Sequence, residues 1–171
     1  MKTRTTRLNA RAPGFSLIEL LLVIVIAAVL MGYAVPQLNQ ARAKQAARSA
    51  RDAFAWTAQR ARVRAIQTGK TQLLHVNPNT ERAWVVTKDD ATDILVTVNF
   101  QTEHEATLTT PGNAVISVCY GPRGYAFKWA QLASGVWSCN LNATDNVDIA
   151  FTHAGVQSTA RLKAAGQVQR P

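Results

Sequence analysis

Residues 15–35, "FSLIELLLVIVIAAVLMGYAV", form a near-continuous apolar block broken only by Ser16, Glu19, Gly32 and Tyr33. No other feature constrains the fold as much. As a helix rising ~1.5 Å per residue, the block would reach ~31 Å, which is the hydrocarbon thickness of a bilayer. Glu19 is then the anomaly, because a charge at membrane depth costs roughly 2.5–3.5 kcal/mol even on the mildest insertion scale. Two arrangements offset that cost: a cationic partner, or a carboxylate snorkelling to the headgroups near the helix end. A cleavable secretory signal would share the basic start and could end at Gly32-Tyr33-Ala34. Such signals have shorter apolar cores, about 7–15 residues, and no carboxylate near their start.

The formal charge of +9 suggests a nucleic-acid binder until it is divided along the chain. The first fourteen residues carry four basic side chains (Lys2, Arg4, Arg7, Arg11) and no acid; residues 15–70 carry eight basic and two acidic. Residues 71–171 carry seven basic and eight acidic, so the C-terminal body is close to neutral. The high pI describes one end of the molecule and is poor evidence for a DNA-binding body. Basic residues flank the apolar block on both sides, so charge bias alone leaves its orientation nearly tied. The basic residues after the block could face anionic headgroups or acidic neighbours. Cys119 and Cys139 both lie in the C-terminal body. An even pair fits a disulfide in an oxidising compartment, and two buried free thiols are the other reading.

Pro36 should kink a helix, since it lacks an N–H and clashes one turn back. The following "QLNQARAKQAARSARDAFAWTAQRARVRAIQT" is rich in helix formers and contains neither Gly nor Pro. One long helix is therefore expected from about Phe15 to Thr68, stopped at Gly69. In its second half Trp56, Val63 and Ile66 share a face at helical spacing, with Gln59 between them. This stripe is expected to lean on a sheet. Phe54 falls nearly opposite, to be covered by another chain or a loop.

From Lys70 the period changes to two. "TQLLHV", "ERAWVV", "DILVTVNF", "AVISVCY", "YAFKW", "VWSCN", "VDIAF" and "STARLKA" read as short strands, separated by turns such as "NPNT", "TPGN", "YGPRGY" and "HAG". The expected class is α+β: a long helix packed on one or two antiparallel sheets, sandwich-like. No enzyme is legible. His75, His104 and His153 lack the paired spacing of metal ligands, and no nucleophile elbow, zinc-protease helix, phosphate loop or dinucleotide fingerprint occurs. No cofactor and no metal are expected. "NAT" at 142–144 matches a glycosylation acceptor and is read as a polar turn.

Behind the short basic leader, Gly14-Phe15-Ser16-Leu17-Ile18-Glu19-Leu20 resembles the class III signal of type IV pilins and type II secretion pseudopilins. The resemblance implies that a membrane prepilin peptidase cuts after Gly14 and methylates the new N-terminal Phe15. Pro36 matches the proline that commonly kinks pilin helices. The implied organisation is a discarded leader (1–14), a transmembrane half of the helix (15–36), an amphipathic half (37–69) and a β-rich head (70–171). Cleavage would free an amine at Phe15, and Glu19 lies near the positive end of the helix dipole. In the fibre, the resemblance implies that Glu19 meets the N-terminal amine of a neighbouring subunit. The implied location is the bacterial inner membrane, N-terminus cytoplasmic and head periplasmic, and then the fibre. The implied partners are other pilin or pseudopilin subunits, the peptidase and the inner-membrane assembly platform.

An Ala/Arg-rich helix followed by short strands and a mid-body "YGPRG" turn is similar to the H-type pseudopilin of type II secretion and to FimT/FimU-type minor pilins. Some FimT proteins bind DNA through a C-terminal G-R-x-R motif. Here the matching tail is Gly166-Gln167-Val168-Gln169, with both arginines replaced by glutamine, which neutralises no phosphate. Arg161, Lys163 and Arg170 remain as weak candidate DNA contacts, and nucleic acid is not an expected partner.

Overall fold

The computed structural model describes residues 16–131, 137–140, 146–163 and 166–170. Helix α1 runs from Leu17 to Thr68 and contains Pro36, with helix on both sides of it. It stops where Gly69 turns to a φ of +66°, a left-handed conformation that a residue without Cβ adopts at no steric cost. The chain divides into two compact units, one ending at Asn39 and one covering Gln40–Pro171. In the first unit every large apolar side chain of α1, from Leu17 to Leu38, is at least half exposed. This is the only helix among the described residues long and apolar enough to cross a membrane.

The second unit builds two antiparallel sheets. β1 (Gln72–Asn77), β2 (Arg82–Thr87), β3 (Asp90–Asn99), β5 (Ile116–Tyr120), β6 (Ala126–Gln131) and β7 (Trp137–Asn140) form the larger one, in the order β3-β2-β1-β5-β6-β7. β4 (Thr107–Thr109), β8 (Val147–His153), β9 (Val156–Leu162) and β10 (Val168–Gln169) form the smaller one, in the order β10-β9-β8-β4. All eight strands anticipated from the alternation are present. The two-residue β10 and three-residue β4 are too short to show a period. The chain passes between sheets through a one-turn helix, α2 (Phe100–His104), in place of a longer β3. Asn99 starts it by accepting a hydrogen bond from the Thr102 N–H, and Glu103 reaches back to the Asn99 N–H.

The core corrects the expected orientation of α1. Trp56 and Ile66 stay about half exposed, at 53 % and 52 %, and Val63 is also exposed. The buried face carries Ala43, Ala47, Ala50, Phe54, Ala58, Ala61 and Ala65 instead. These positions recur at steps of three or four, so they line one side of the helix. The single methyl groups on either side of Phe54 let the helix backbone approach the sheet closely, where a row of bulky side chains would hold it off. Phe54, expected under a loop or another chain, is fully buried in this core. Its ring centroid lies 5.8 Å from that of Phe151 in β8, which is 5.0 Å from that of Phe100 in α2. Leu74, Val76 and Val85 from one sheet and Ile149 and Leu162 from the other complete the same cluster.

The "YGPRG" turn after β5 fastens to α1. Arg62 Nε donates to the Gly124 carbonyl at 3.0 Å. Gly124 has a φ of +79°, and a Cβ there would meet Ile66 Cδ1 at 3.0 Å and Arg62 Nε at 3.1 Å. On the opposite face of the larger sheet, Leu73, Val86 and Cys119 form a second buried cluster with Trp84, Phe127 and Cys139 around it. Cys119 and Cys139 are disulfide-bonded, with Cα atoms 5.9 Å apart. They belong to β5 and β7, which flank β6, and flat strands two apart would be about 9.5 Å from each other. The β7 edge therefore curls toward β5 over this cluster. Closing a loop of 20 residues, the bond contributes on the order of 3 kcal/mol.

Candidate functional site

The N-terminal turn of α1 begins at Ser16, whose carbonyl accepts from the N–H groups of Glu19 at 3.0 Å and Leu20 at 3.2 Å. Glu19 is the acidic residue of this first turn. The leading N–H groups of a helix have no intrahelical acceptor and carry the positive end of its dipole, so a carboxylate is favourably placed there. Around it Leu17, Ile18, Leu20, Leu21 and Leu22 are exposed. Glu19 is thus an anion set into an apolar helical surface. Gly14 and Phe15, the expected processing junction, lie outside the described residues.

The basic side chains of the second half of α1 divide into two groups. Arg51 bonds the Asp52 carboxylate at 3.1 Å, Arg60 stacks 4.5 Å over Trp56, Arg62 holds Gly124 and Arg64 lies 3.9 Å from Asp93. These are engaged with the head or with each other. Arg42, Lys44 and Arg48 are exposed, and no described carboxylate comes within salt-bridge distance of them. Lys44 and Arg48 line a shallow groove with Ala41, Gln45, Ser49 and Asp52.

In the head, each histidine has a structural contact. His75 on β1 bonds the Ser117 hydroxyl on β5 at 2.7 Å and stacks on Trp84 of β2, centroids 5.2 Å apart. Burial pushes its pKa below the usual histidine value. His104 bonds the Ser49 hydroxyl at 2.9 Å, and His153 bonds the Glu105 carbonyl. Among the described residues no three potential metal ligands come together. Two of the three candidate DNA contacts, Arg161 and Arg170, lie beside carboxylates. Arg161 makes a two-pronged pair with Asp148, directly opposite on β8, at 2.7 and 2.9 Å. That hydrogen bond holds the Asp148 carboxyl below the ordinary range. Arg170 lies 3.5 Å from Asp52. The "NAT" sequence lies outside the described residues. Sequence reasoning missed these pairings because Asp52, Asp148 and their arginines meet only through the fold.

Residues 9–35 match the family described as the prokaryotic N-terminal methylation motif. No curated protein matches the chain. Two crystal structures of the type IV minor pilin FimU of Pseudomonas aeruginosa (strain PAO1) share its fold. One gives a TM-score of 0.54 at 10% identity, covering 73% of this chain and 87% of that one. The other crystal form gives 0.51 at 11%, covering 72% and 91%. At such identity the likeness speaks to the fold alone. A methylation motif leads into an exposed apolar helix whose remaining turns pack on antiparallel sheets, so the chain joins the prokaryotic N-terminal methylation motif to a fold shared with the minor pilin FimU.

Proposed function

We propose that the chain is a non-enzymatic minor pilin or pseudopilin subunit of the H-type/FimT group. In this reading prepilin peptidase removes residues 1–14 and methylates Phe15. The subunit waits in the inner membrane with its head in the periplasm, and an assembly platform adds it to a type IV pilus or a type II secretion pseudopilus. The observation that carries the reading is Glu19 in the first turn of an otherwise apolar, exposed helical surface, inside the matched motif. Such a surface needs lipid or other helices around it, and such an anion needs a cation. A neighbour's freed N-terminal amine meets the second need, and helices slid out of register would leave Glu19 unpaired. Pro36 supplies a bend between the two halves of α1 in this reading. The outward stripe of Trp56, Val63 and Ile66, with Tyr125 also exposed, offers the head a contact to a neighbouring subunit.

Mass spectrometry of the chain from cells with an active prepilin peptidase should find a methylated N-terminus at Phe15. Retention of residues 1–14 there would overturn the reading. Glu19→Ala should still insert into the membrane but impair assembly, and undiminished assembly would count against the register role.

A further inference from the structure

We propose that the turn joining β5 to β6 forms a recognition slot for a protein segment that carries a carboxylate beside an apolar side chain. Gly121, Pro122, Arg123, Tyr125 and Phe127 line a cleft of about 260 Å³. That is below the roughly 300–1,000 Å³ of a small-molecule or cofactor site and suits a single side chain. Its walls are a proline and two aromatic rings, which favour an apolar group. Tyr125 is 55 % exposed, and Phe127 packs on the cluster that holds Cys119. Gly121 keeps the floor open, because a Cβ there would come within 3.4 Å of Phe127 Cε2.

The charge at the mouth sets the other half of the ligand. Arg123 is exposed, and among the described residues no carboxylate lies within ion-pair distance of it. Arg51, Arg64, Arg161 and Arg170 each have such a neighbour, Arg60 lies over Trp56 and Arg62 holds Gly124. A guanidinium presents a planar fork of donors that matches a carboxylate. A lone one is a poor match for a phosphate backbone, which is bound by a series of cations. The cleft is also fixed in shape. The Gly121 N–H donates to the Tyr125 carbonyl at 3.0 Å and the Gly124 N–H to the Gly121 carbonyl at 2.8 Å, which closes the turn. Arg62 of α1 ties the Gly124 carbonyl at 3.0 Å, and the tail rests against that same oxygen, where a Cβ on Gly166 would approach to 2.7 Å. A surface turn held in these ways binds a short segment with little ordering cost of its own. The proposal does not depend on the fibre reading, since the chemistry of the slot is complete within this head.

The test uses the three tyrosines of the full chain, ring-labelled and observed by NMR in phosphatidylcholine nanodiscs. Tyr125 reports on the slot, Tyr33 on the apolar half of α1 and Tyr120 on the core. The probes are N-acetyl-aspartyl-leucinamide and N-acetyl-lysyl-leucinamide. The aspartyl peptide should shift the Tyr125 signal to saturation and leave Tyr33 unmoved. The lysyl peptide should bind about two- to fivefold more weakly, the range of an exposed ion pair. High salt or Arg123→Gln should bring the two affinities together, and Gly121→Val, which fills the floor, should stop both peptides from moving Tyr125. A Tyr125 signal that neither peptide moves in the unaltered chain, or that both move with equal affinity, would overturn the proposal. So would a Tyr125 signal that shifts only with the concentration of the chain itself, which would give the slot to a second copy. Removal of the leader plays no part in these spectra, so failure here leaves the fibre reading standing.

Discussion

Between Leu17 and Leu38, α1 exposes every large apolar side chain it has; between Ala43 and Ala65, the same helix buries a row of methyl groups and leaves a tryptophan half in solvent. Residue hydrophobicity alone does not predict burial in either half: Phe54 is fully buried while Trp56, two residues on, is 53 % exposed. In the first half no large apolar side chain is covered by a described residue, so the apolar surface is a demand on the surroundings, whether lipid or neighbouring helices. In the second half the sheet is the partner, and close approach decides which face it takes. One helix therefore carries an uncovered half and a half packed within the head.

This division can be broken most directly at Phe54, fully buried against Phe151. Phe54→Ala should destabilise the head by about 3–5 kcal/mol through lost transfer energy and the cavity left behind. Leu22→Ala in the exposed half should leave head unfolding unchanged. Denaturation of the full chain in detergent checks both, and a comparable loss from Leu22→Ala would dissolve the distinction. The alanine face is tested by overpacking: Ala58→Leu adds hydrophobicity where there is no room, and should cost about 1–3 kcal/mol in the same measurement. A stabilised variant would show that closeness is not what selects this face. Trp56→Ala should cost the isolated subunit at most about 1 kcal/mol, chiefly its contact with Arg60. Its larger effect should be on incorporation into fibres.

The smallest expected effect belongs to His75, half-buried against Trp84 and Ser117. Burial disfavours its cation, so the folded state binds the proton less readily than the unfolded chain. Head stability from this source is fully present above the unfolded value of about 6.5 and declines as pH falls from there through the lowered folded value. A His75→Gln variant should lose that slope in urea titrations at stepped pH. A slope of opposite sign would mean that a carboxylate, not burial, governs the site.

Much of the architecture was legible in the sequence because it is written in local patterns. The span is a matter of length and composition, the end of α1 of a glycine, and the eight longer strands of alternation between turn residues. The methylation motif is a contiguous string. Other features were not legible, each for a physical reason. β4 and β10 are shorter than the period that would identify them, and α2 begins on a phenylalanine that continues the alternation of β3. The choice between the Trp56 face and the alanine face was misjudged because hydrophobic patterning weighs side chains by their affinity for oil and not by the clearance they leave. The carboxylate partners of Arg161 and Arg170 are not legible because Asp148 and Asp52 reach them only through the fold.

By itself the sequence determined that this protein has an apolar helix with a carboxylate near its start, a basic stretch beyond it and a strand-rich body, since each follows from neighbouring residues acting on the same few turns of backbone. Only the tertiary structure decided which helix face meets the sheet, which arginines are neutralised and which stay bare, and that Cys119 and Cys139 meet across β6. Those outcomes depend on the distance between elements remote in sequence, and a one-dimensional pattern does not contain that distance.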